Sequence, residues 1–181
     1  MLRLISLSFF ISSLAFANED LHSIGVGYSY SNIRNDESEV TSELNDLITS
    51  HYSVSYQYKV SVYFSIGIGY LQGNSSHADG LLGIFTNSKI DYSAIVFSPA
   101  VNYPISKRNY LYLKTSVLEF DYDIIDDSKV VYTEGARDFS FSFGWGYEFD
   151  NGMGIKAGYE KLNLGDHVVI EGFNTAINYR F

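Results

Sequence analysis

The chain ends on nine residues that admit very few folds. Phe173, Thr175, Ile177, Tyr179 and Phe181 share one parity, and Asn174, Ala176, Asn178 and Arg180 share the other. Side chains of a strand point to opposite faces with period two. One face of this strand is therefore apolar and aromatic, and the other is polar and carries a charge. Strands that cross a membrane within a barrel are built this way, apolar toward lipid and polar toward the lumen.

Seven further segments alternate in the same manner, at residues 23–32, 51–59, 62–71, 90–103, 110–122, 138–149 and 153–162. In 138–149, Phe139, Phe141, Phe143, Trp145, Tyr147 and Phe149 oppose Ser140, Ser142, Gly144, Gly146 and Glu148. A tilted membrane-crossing strand needs about 9–11 residues, which most of these segments have. Connections alternate in length: 59–61, 104–109 and 150–152 are short, whereas 33–50, 72–89, 123–137 and 163–170 are longer and more polar. Short periplasmic turns and longer external loops, with an even strand count, put both termini in the periplasm. The expected fold is all-β, an eight-stranded antiparallel up-and-down transmembrane β-barrel.

Size decides which face is outside. An eight-stranded barrel has an interior just wide enough to be filled by side chains. Six rings from residues 138–149 would not fit there beside the side chains of seven other strands, but the Gly/Ser face would. The opposite arrangement would also place Lys156 and Glu148 in lipid, where a midplane Lys costs about 2–4 kcal/mol. Aromatic residues are thus expected outside. The fourth and fifth segments are less regular. Tyr92, Ala94 and Val96 share one parity and Val101 and Tyr103 the other, with Pro99 between them. A bulge near Ser98 and Pro99 would absorb that change, and a similar slip separates Leu111, Leu113 and Val117 from Leu118, Phe120 and Tyr122.

At the other end, Arg3 precedes an apolar run over residues 4–14 and a small-x-small triplet, Ala15-Phe16-Ala17. These are the parts of a secretory signal peptide, expected at residues 1–17 with the barrel domain at 18–181. Loss of Arg3 would take the formal net charge from −9 to −10. A chain this acidic, with no basic cluster, argues against nucleic acid as a partner. Cysteine is absent, so neither disulfides nor thiolate metal sites are available.

Parity directs Lys114, Glu148, Lys156, Glu160 and Arg180 into the lumen, with Lys59 at its rim. Charges in a narrow barrel must pair, because an isolated one costs several kcal/mol. A structural ion-pair network is expected there; a selective path or gate is the functional alternative, although the bore disfavours a steady pore. His51 and Ser53 form a His-x-Ser pair. A hydroxyl beside an imidazole suits nucleophilic catalysis, but both side chains share the inward parity while Tyr52 takes the lipid face. The acidic residues Asp121, Asp123, Asp126 and Asp127 lack the Asp-x-Asp-x-Asp-Gly frame of a calcium loop, as do Asp36, Glu37, Glu39, Glu43 and Asp46. They read as solvated loop charge. No catalytic, cofactor or metal site is expected.

Gly25-Val26-Gly27-Tyr28, Gly67-Ile68-Gly69-Tyr70, Gly144-Trp145-Gly146-Tyr147 and the terminal Tyr179-Arg180-Phe181 resemble the small eight-stranded outer-membrane barrels of the OmpA transmembrane domain and OmpX/Ail type. The resemblance implies a bacterial outer-membrane protein. It implies lipid and lipopolysaccharide as surroundings, and insertion by the barrel-assembly machinery reading Tyr179 and Phe181. It further implies a monomer whose external loops serve adhesion, envelope integrity or surface defence, with a host or surface ligand as partner. Outer-membrane lipid A deacylases share the size and fold and use a His-x-Ser pair. A lipid-modifying enzyme or a narrow pore is therefore the alternative, as is a soluble periplasmic barrel of opposite polarity.

Overall fold

Alternating residues form eight strands: β1 His22–Asn35, β2 Ile48–Lys59, β3 Phe64–Ser75, β4 Lys89–Pro104, β5 Asn109–Asp126, β6 Lys129–Glu148, β7 Met153–Leu164 and β8 Val168–Arg180. The structure is a computed structural model and describes residues 21–35, 48–75, 89–126, 129–165 and 168–181. Each strand pairs antiparallel with its neighbour, and β8 returns onto β1 from Ser23↔Arg180 to Asn35↔Val168. The ladder is closed, so no strand edge exposes unpaired N–H and C=O groups to lipid. Among the described residues, no helix is long and apolar enough to cross a membrane.

Three tight connections define one rim, the turn end. Ser61 Oγ accepts from the amides of Tyr63 and Phe64. Ser106 Oγ accepts from the amides of Arg108 and Asn109. Gly152 supplies the φ of +83° in the Asp150-Asn151-Gly152 turn, a conformation that L side chains rarely adopt. Arg108 in the second turn pairs with Asp150 in the third. At this rim the backbones of His22 and Phe181 exchange hydrogen bonds, which keeps the last residue in the ladder.

The two faces are distinct. On β6, Phe141 and Phe143 are 40% and 49% exposed, while Ser142 between them is 1% exposed. The outward row from Phe139 to Tyr147 covers about 26 Å of strand, or about 20 Å along the axis of a barrel tilted by 35–45°. Every strand carries such a row, and every row ends toward the far rim on a polar residue. Tyr30 gives way to Asn32, Tyr70 to Gln72, Ile95 to Ser93, Val117 to Glu119, Phe139 to Arg137, Tyr159 to Lys161 and Phe173 to Glu171. The switch lies at one level across several ladders: Tyr30↔Phe173↔Tyr159, Tyr70↔Ile95 and Val117↔Phe139 are all direct partners.

Beyond that level the interior changes as well. Ile33, Leu71, Ile90, Tyr92, Leu118, Phe120, Tyr122, Ile124, Leu162, Leu164, Val168 and Ile170 form a buried apolar core inside the far part of the barrel. Outside it, Arg137 bonds Glu119 and Arg34 pairs with Glu171. The polarity of both faces thus inverts where the wall leaves the apolar belt and meets water.

This inversion replaces two expectations about β4 and β5. Register is unbroken through Phe97↔Val117 and Ala100↔Lys114, so there is no bulge at Ser98 and Pro99. Tyr92, Ala94 and Val96 face inward and Val101 and Tyr103 outward because the medium changes, not the pairing. The β4–β5 ladder skips Ser98 and Pro99, where proline has no amide to donate, and the inward hydroxyls of Ser98 and Ser116 close the gap at 2.9 Å. Likewise β5 has no slip: Leu111, Leu113 and Val117 are outward in the belt, and Leu118, Phe120 and Tyr122 are inward in the core. A register shift does occur farther out, between Ile124↔Tyr132 and Ile125↔Val130, and leaves Val131 as the extra residue.

The expected loop at 123–137 is also largely strand. β5 and β6 stay paired to Asp126↔Lys129, so the hairpin projects about 23 Å along the strand beyond Glu119. Tyr122, Ile124 and Tyr132 continue the inward row, while Asp123 accepts from the outward Thr133 hydroxyl. The acidic run Asp36, Glu37, Glu39, Glu43 and Asp46 lies outside the described residues, as do Asp127 and residues 1–17.

The belt can be tested at its centre. Phe143→Arg is expected to lower stability in lipid vesicles by about 2–4 kcal/mol, the depth-dependent cost of Arg at the midplane. Glu119→Gln, beyond the belt, should stay within about 0.5 kcal/mol of wild type. Urea unfolding followed by Trp fluorescence gives both values; equal effects would mean that the belt is misplaced.

Candidate functional site

The polar lumen beneath the apolar core holds the chemistry-bearing side chains. Alternation puts His51, Ser53, Ser55 and Gln57 of β2 on the inner face, facing Lys114 of β5, Lys156 and Glu160 of β7, and Asn174 and Asn178 of β8 across the bore. Two cavities occupy this space. The lower, of about 110 Å³, opens at the turn end and is lined by Lys59, Tyr110, Glu148, Lys156 and Arg180 among others. The upper, of about 130 Å³, reaches from Lys156 past Lys114 and Glu160 to Leu71, Val96 and Leu162, where the apolar core begins.

All five lumen charges expected from parity line this space, and four of them fall into two groups. Near the turn end, Arg180 Nη1 donates to Glu148 Oε2 at 2.7 Å. Higher up, Glu160 is buried and receives His51 Nε2 at 3.1 Å and Asn174 Nδ2 at 3.4 Å, with Lys114 Nζ at 4.0 Å. Lys156 belongs to neither group. Its Nζ donates to Gln57 Oε1 at 2.9 Å and sits 6.0 Å from the centre of the Tyr112 ring.

Several participants were not singled out by the sequence reading. Tyr92 Oη lies 3.1 Å from His51 Nδ1, and Thr49 Oγ1 lies 3.3 Å from Tyr92 Oη. Tyr92 Oη and Glu160 Oε1 thus stand at the two ring nitrogens of His51. Tyr112 Oη donates to Asn174 Oδ1 at 3.2 Å. These tyrosines fit because each is paired across the ladder with a glycine: Tyr92 with Gly73, Tyr110 with Gly146 and Tyr112 with Gly144. A Cβ on Gly73 would lie 2.3 Å from the Tyr92 ring, and one on Gly146 the same distance from the Tyr110 ring. A glycine directly across from an inward tyrosine is a usable signal, but it requires the register to be known.

His51 and Ser53 point into the lumen. His51 is 3% exposed and is engaged by Glu160 and Tyr92, while its neighbour Tyr52 is 70% exposed on the outer face. The pair does not reach the lipid interface that lipid hydrolysis would need. Among the described residues, no group of His, Asp and Glu side chains is arranged to hold a metal ion.

The outer membrane protein beta-barrel domain family model matches residues 4–181. Ail, the attachment invasion locus protein of Yersinia pestis, superposes with a TM-score of 0.62 at 16% identity, covering 91% of this chain and 100% of that one. Ail has also been solved in complex with the heparin analogue sucrose octasulfate. Neisserial surface protein A superposes with a TM-score of 0.72 at 10% identity, over 91% of this chain and 100% of that one. OprG of Pseudomonas aeruginosa gives 0.51 at 9% identity, over 91% and 98%. At these identities the likeness is one of fold. A comparison with curated protein sequences finds no match.

The Glu160 cluster predicts its own energetics. Glu160→Leu is expected to cost about 3–5 kcal/mol, because it strands the Lys114 charge and the His51 donor in the lumen. Lys114→Met added to Glu160→Leu should recover a large part of that loss. A double-mutant cycle by urea unfolding in vesicles measures the coupling, and simple additivity would show that the two groups do not interact.

Proposed function

The chain belongs to the outer membrane protein β-barrel family and resides in the Gram-negative outer membrane, and from that premise we propose a non-enzymatic surface protein. Its outward-projecting hairpins carry adhesion, envelope integrity or surface defence. The observation that carries this reading is the β5–β6 hairpin, which stays paired well beyond the apolar belt with Phe120, Tyr122 and Ile124 in the buried core and Glu119, Asp123 and Arg137 outside. Such an extension is unnecessary for spanning a bilayer, where about 9–11 residues per strand suffice. A rigid, water-facing platform suits contact with another surface. The fold likeness to Ail and to Neisserial surface protein A, both named for surface roles, is consistent with it but is an analogy of fold.

In this reading the turn end and both termini face the periplasm, residues 1–17 are removed on export, and the mature barrel works as a monomer. Tyr179 and Phe181 present the terminal strand to the assembly machinery. Lys114, Glu148, Lys156, Glu160 and Arg180 fill and register the lumen. Lipid and lipopolysaccharide contact the belt and the charges just above it, and a host or surface ligand meets the hairpins. The core inside the far end closes the bore above the upper cavity, which disfavours a steady pore. Catalysis by His51 and Ser53 is disfavoured by their burial away from lipid.

Replacing residues 124–132 by an Asn-Gly turn, which closes Asp123 onto Thr133 as a two-residue hairpin, should leave a heat-modifiable barrel in the outer membrane. It should also produce a severalfold loss in host-cell adherence, detergent resistance or serum survival. Unchanged behaviour in all three assays, for this variant and for truncation of each other outer hairpin, would sink the surface role.

A further inference from the structure

The chain carries a formal charge of −9, yet the lumen reached from the turn end is basic. Lys59, Lys107, Arg108, Lys156 and Arg180 line the lower cavity, and Glu148 is its carboxylate among the described residues. Arg180 satisfies Glu148, and Arg108 turns to Asp150. The upper cavity continues the excess, with Lys114 and Lys156 against Glu160. That carboxylate is already engaged by His51 Nε2 and Asn174 Nδ2, and Lys114 Nζ stands 4.0 Å away, beyond hydrogen-bonding distance. Among the described residues Lys156 donates one hydrogen bond, to Gln57, and its Nζ stands 6.0 Å from the centre of the Tyr112 ring.

An ammonium has three donors. Among the described residues, Gln57 Oε1 is the acceptor within hydrogen-bond distance of these two ammonium groups, and both line the same cavity. That space, about 130 Å³, exceeds the roughly 30 Å³ share of one water several times over. Its far end meets Leu71, Val96 and Leu162 of the apolar core, and its near end shares Gln57, Lys156 and Asn178 with the basic lower cavity. The geometry points to a binding site for a small monovalent anion, of the halide class, held in the upper lumen by Lys114 and Lys156. One negative charge brings the upper cavity to neutrality. Serine hydroxyls that line the cavity, those of Ser53 and Ser55 among them, can donate to an anion as readily as they accept from an ammonium.

Chloride is the probe. The mature barrel refolded in detergent micelles should broaden the chlorine-35 NMR line beyond a protein-free micelle blank. Lys114→Gln and Lys156→Gln should each lose that excess, while Lys161→Gln, on the outer face of β7, should keep it. Heat-modifiability on gels reports whether each variant has folded. Where a lumen variant does not fold, bromide-soaked crystals of the wild-type protein decide, with an anomalous peak expected within hydrogen-bond distance of Lys114 Nζ or Lys156 Nζ. No excess broadening in wild type, wild-type broadening in either lumen variant, or a bromide map without a lumen peak would overturn the site.

Discussion

Closure of the backbone ladder, β8 onto β1, fixes everything else in this molecule. In lipid every amide and carbonyl must find an internal partner, and a closed antiparallel ladder provides them without an edge. Closure also removes the freedom to slip, because a one-residue shift would turn every side chain of a strand to the wrong face. With register fixed, each position has a permanent inside or outside. The medium it meets then selects the residue. Phe143 and Ile177 meet acyl chains, Glu119 and Lys161 meet water, and Ser142 and Gly146 meet the opposite wall of a narrow bore.

The same constraint explains the mixture inside. A bore of this width holds a large inward side chain where its neighbour in the ladder is small, and Gly73, Gly144 and Gly146 are the direct partners of Tyr92, Tyr112 and Tyr110. The tyrosine hydroxyls then become part of the polar network: Tyr92 Oη lies 3.1 Å from His51 Nδ1, and Tyr112 donates to Asn174. A buried ion pair adds little to stability over an apolar replacement, but breaking one is costly. The Glu160 cluster joins side chains from β2, β5, β7 and β8, so its contacts form only when those four strands stand in the observed register.

Much of this was legible in the sequence, and the failures share one cause. The eight strands, their antiparallel order and the outward rows of β1, β2, β3, β6, β7 and β8 follow from alternation. In β4 and β5 alternation also held, but the apolar parity switched between Val96 and Val101 and between Val117 and Leu118. Reading parity as facing presumes one medium along the whole strand. Two media met there, so a change of solvent looked like a change of register, and Pro99 at the switch strengthened the impression. The hairpin tip reads as loop for a related reason: polar residues such as Glu119, Asp121, Asp123 and Thr133 are outward on a paired strand. The inward direction of Lys114, Glu148, Lys156, Glu160 and Arg180 was likewise readable. Their partners were not, because Glu160 meets His51 across the bore, between strands that are not neighbours in the ladder.

The division of labour along the axis bears on where change can be tolerated. Within the belt, a substitution on the outer face is judged by lipid, and one on the inner face by a bore that has no room. At the far rim neither judge applies to the outward side chains of β5 and β6. These are held by cross-strand pairs such as Glu119–Arg137 and Asp123–Thr133, and surface pairs of this kind contribute little to stability. The inward Tyr122 and Ile124 are buried, Tyr132 packs against that core, and both tyrosine hydroxyls donate to Glu134. A wall whose inner side supplies the stability leaves its outer side free to be shaped by whatever it touches. That separation is the physical ground for looking to the projecting hairpin, rather than to the lumen, for the protein's dealings with other surfaces.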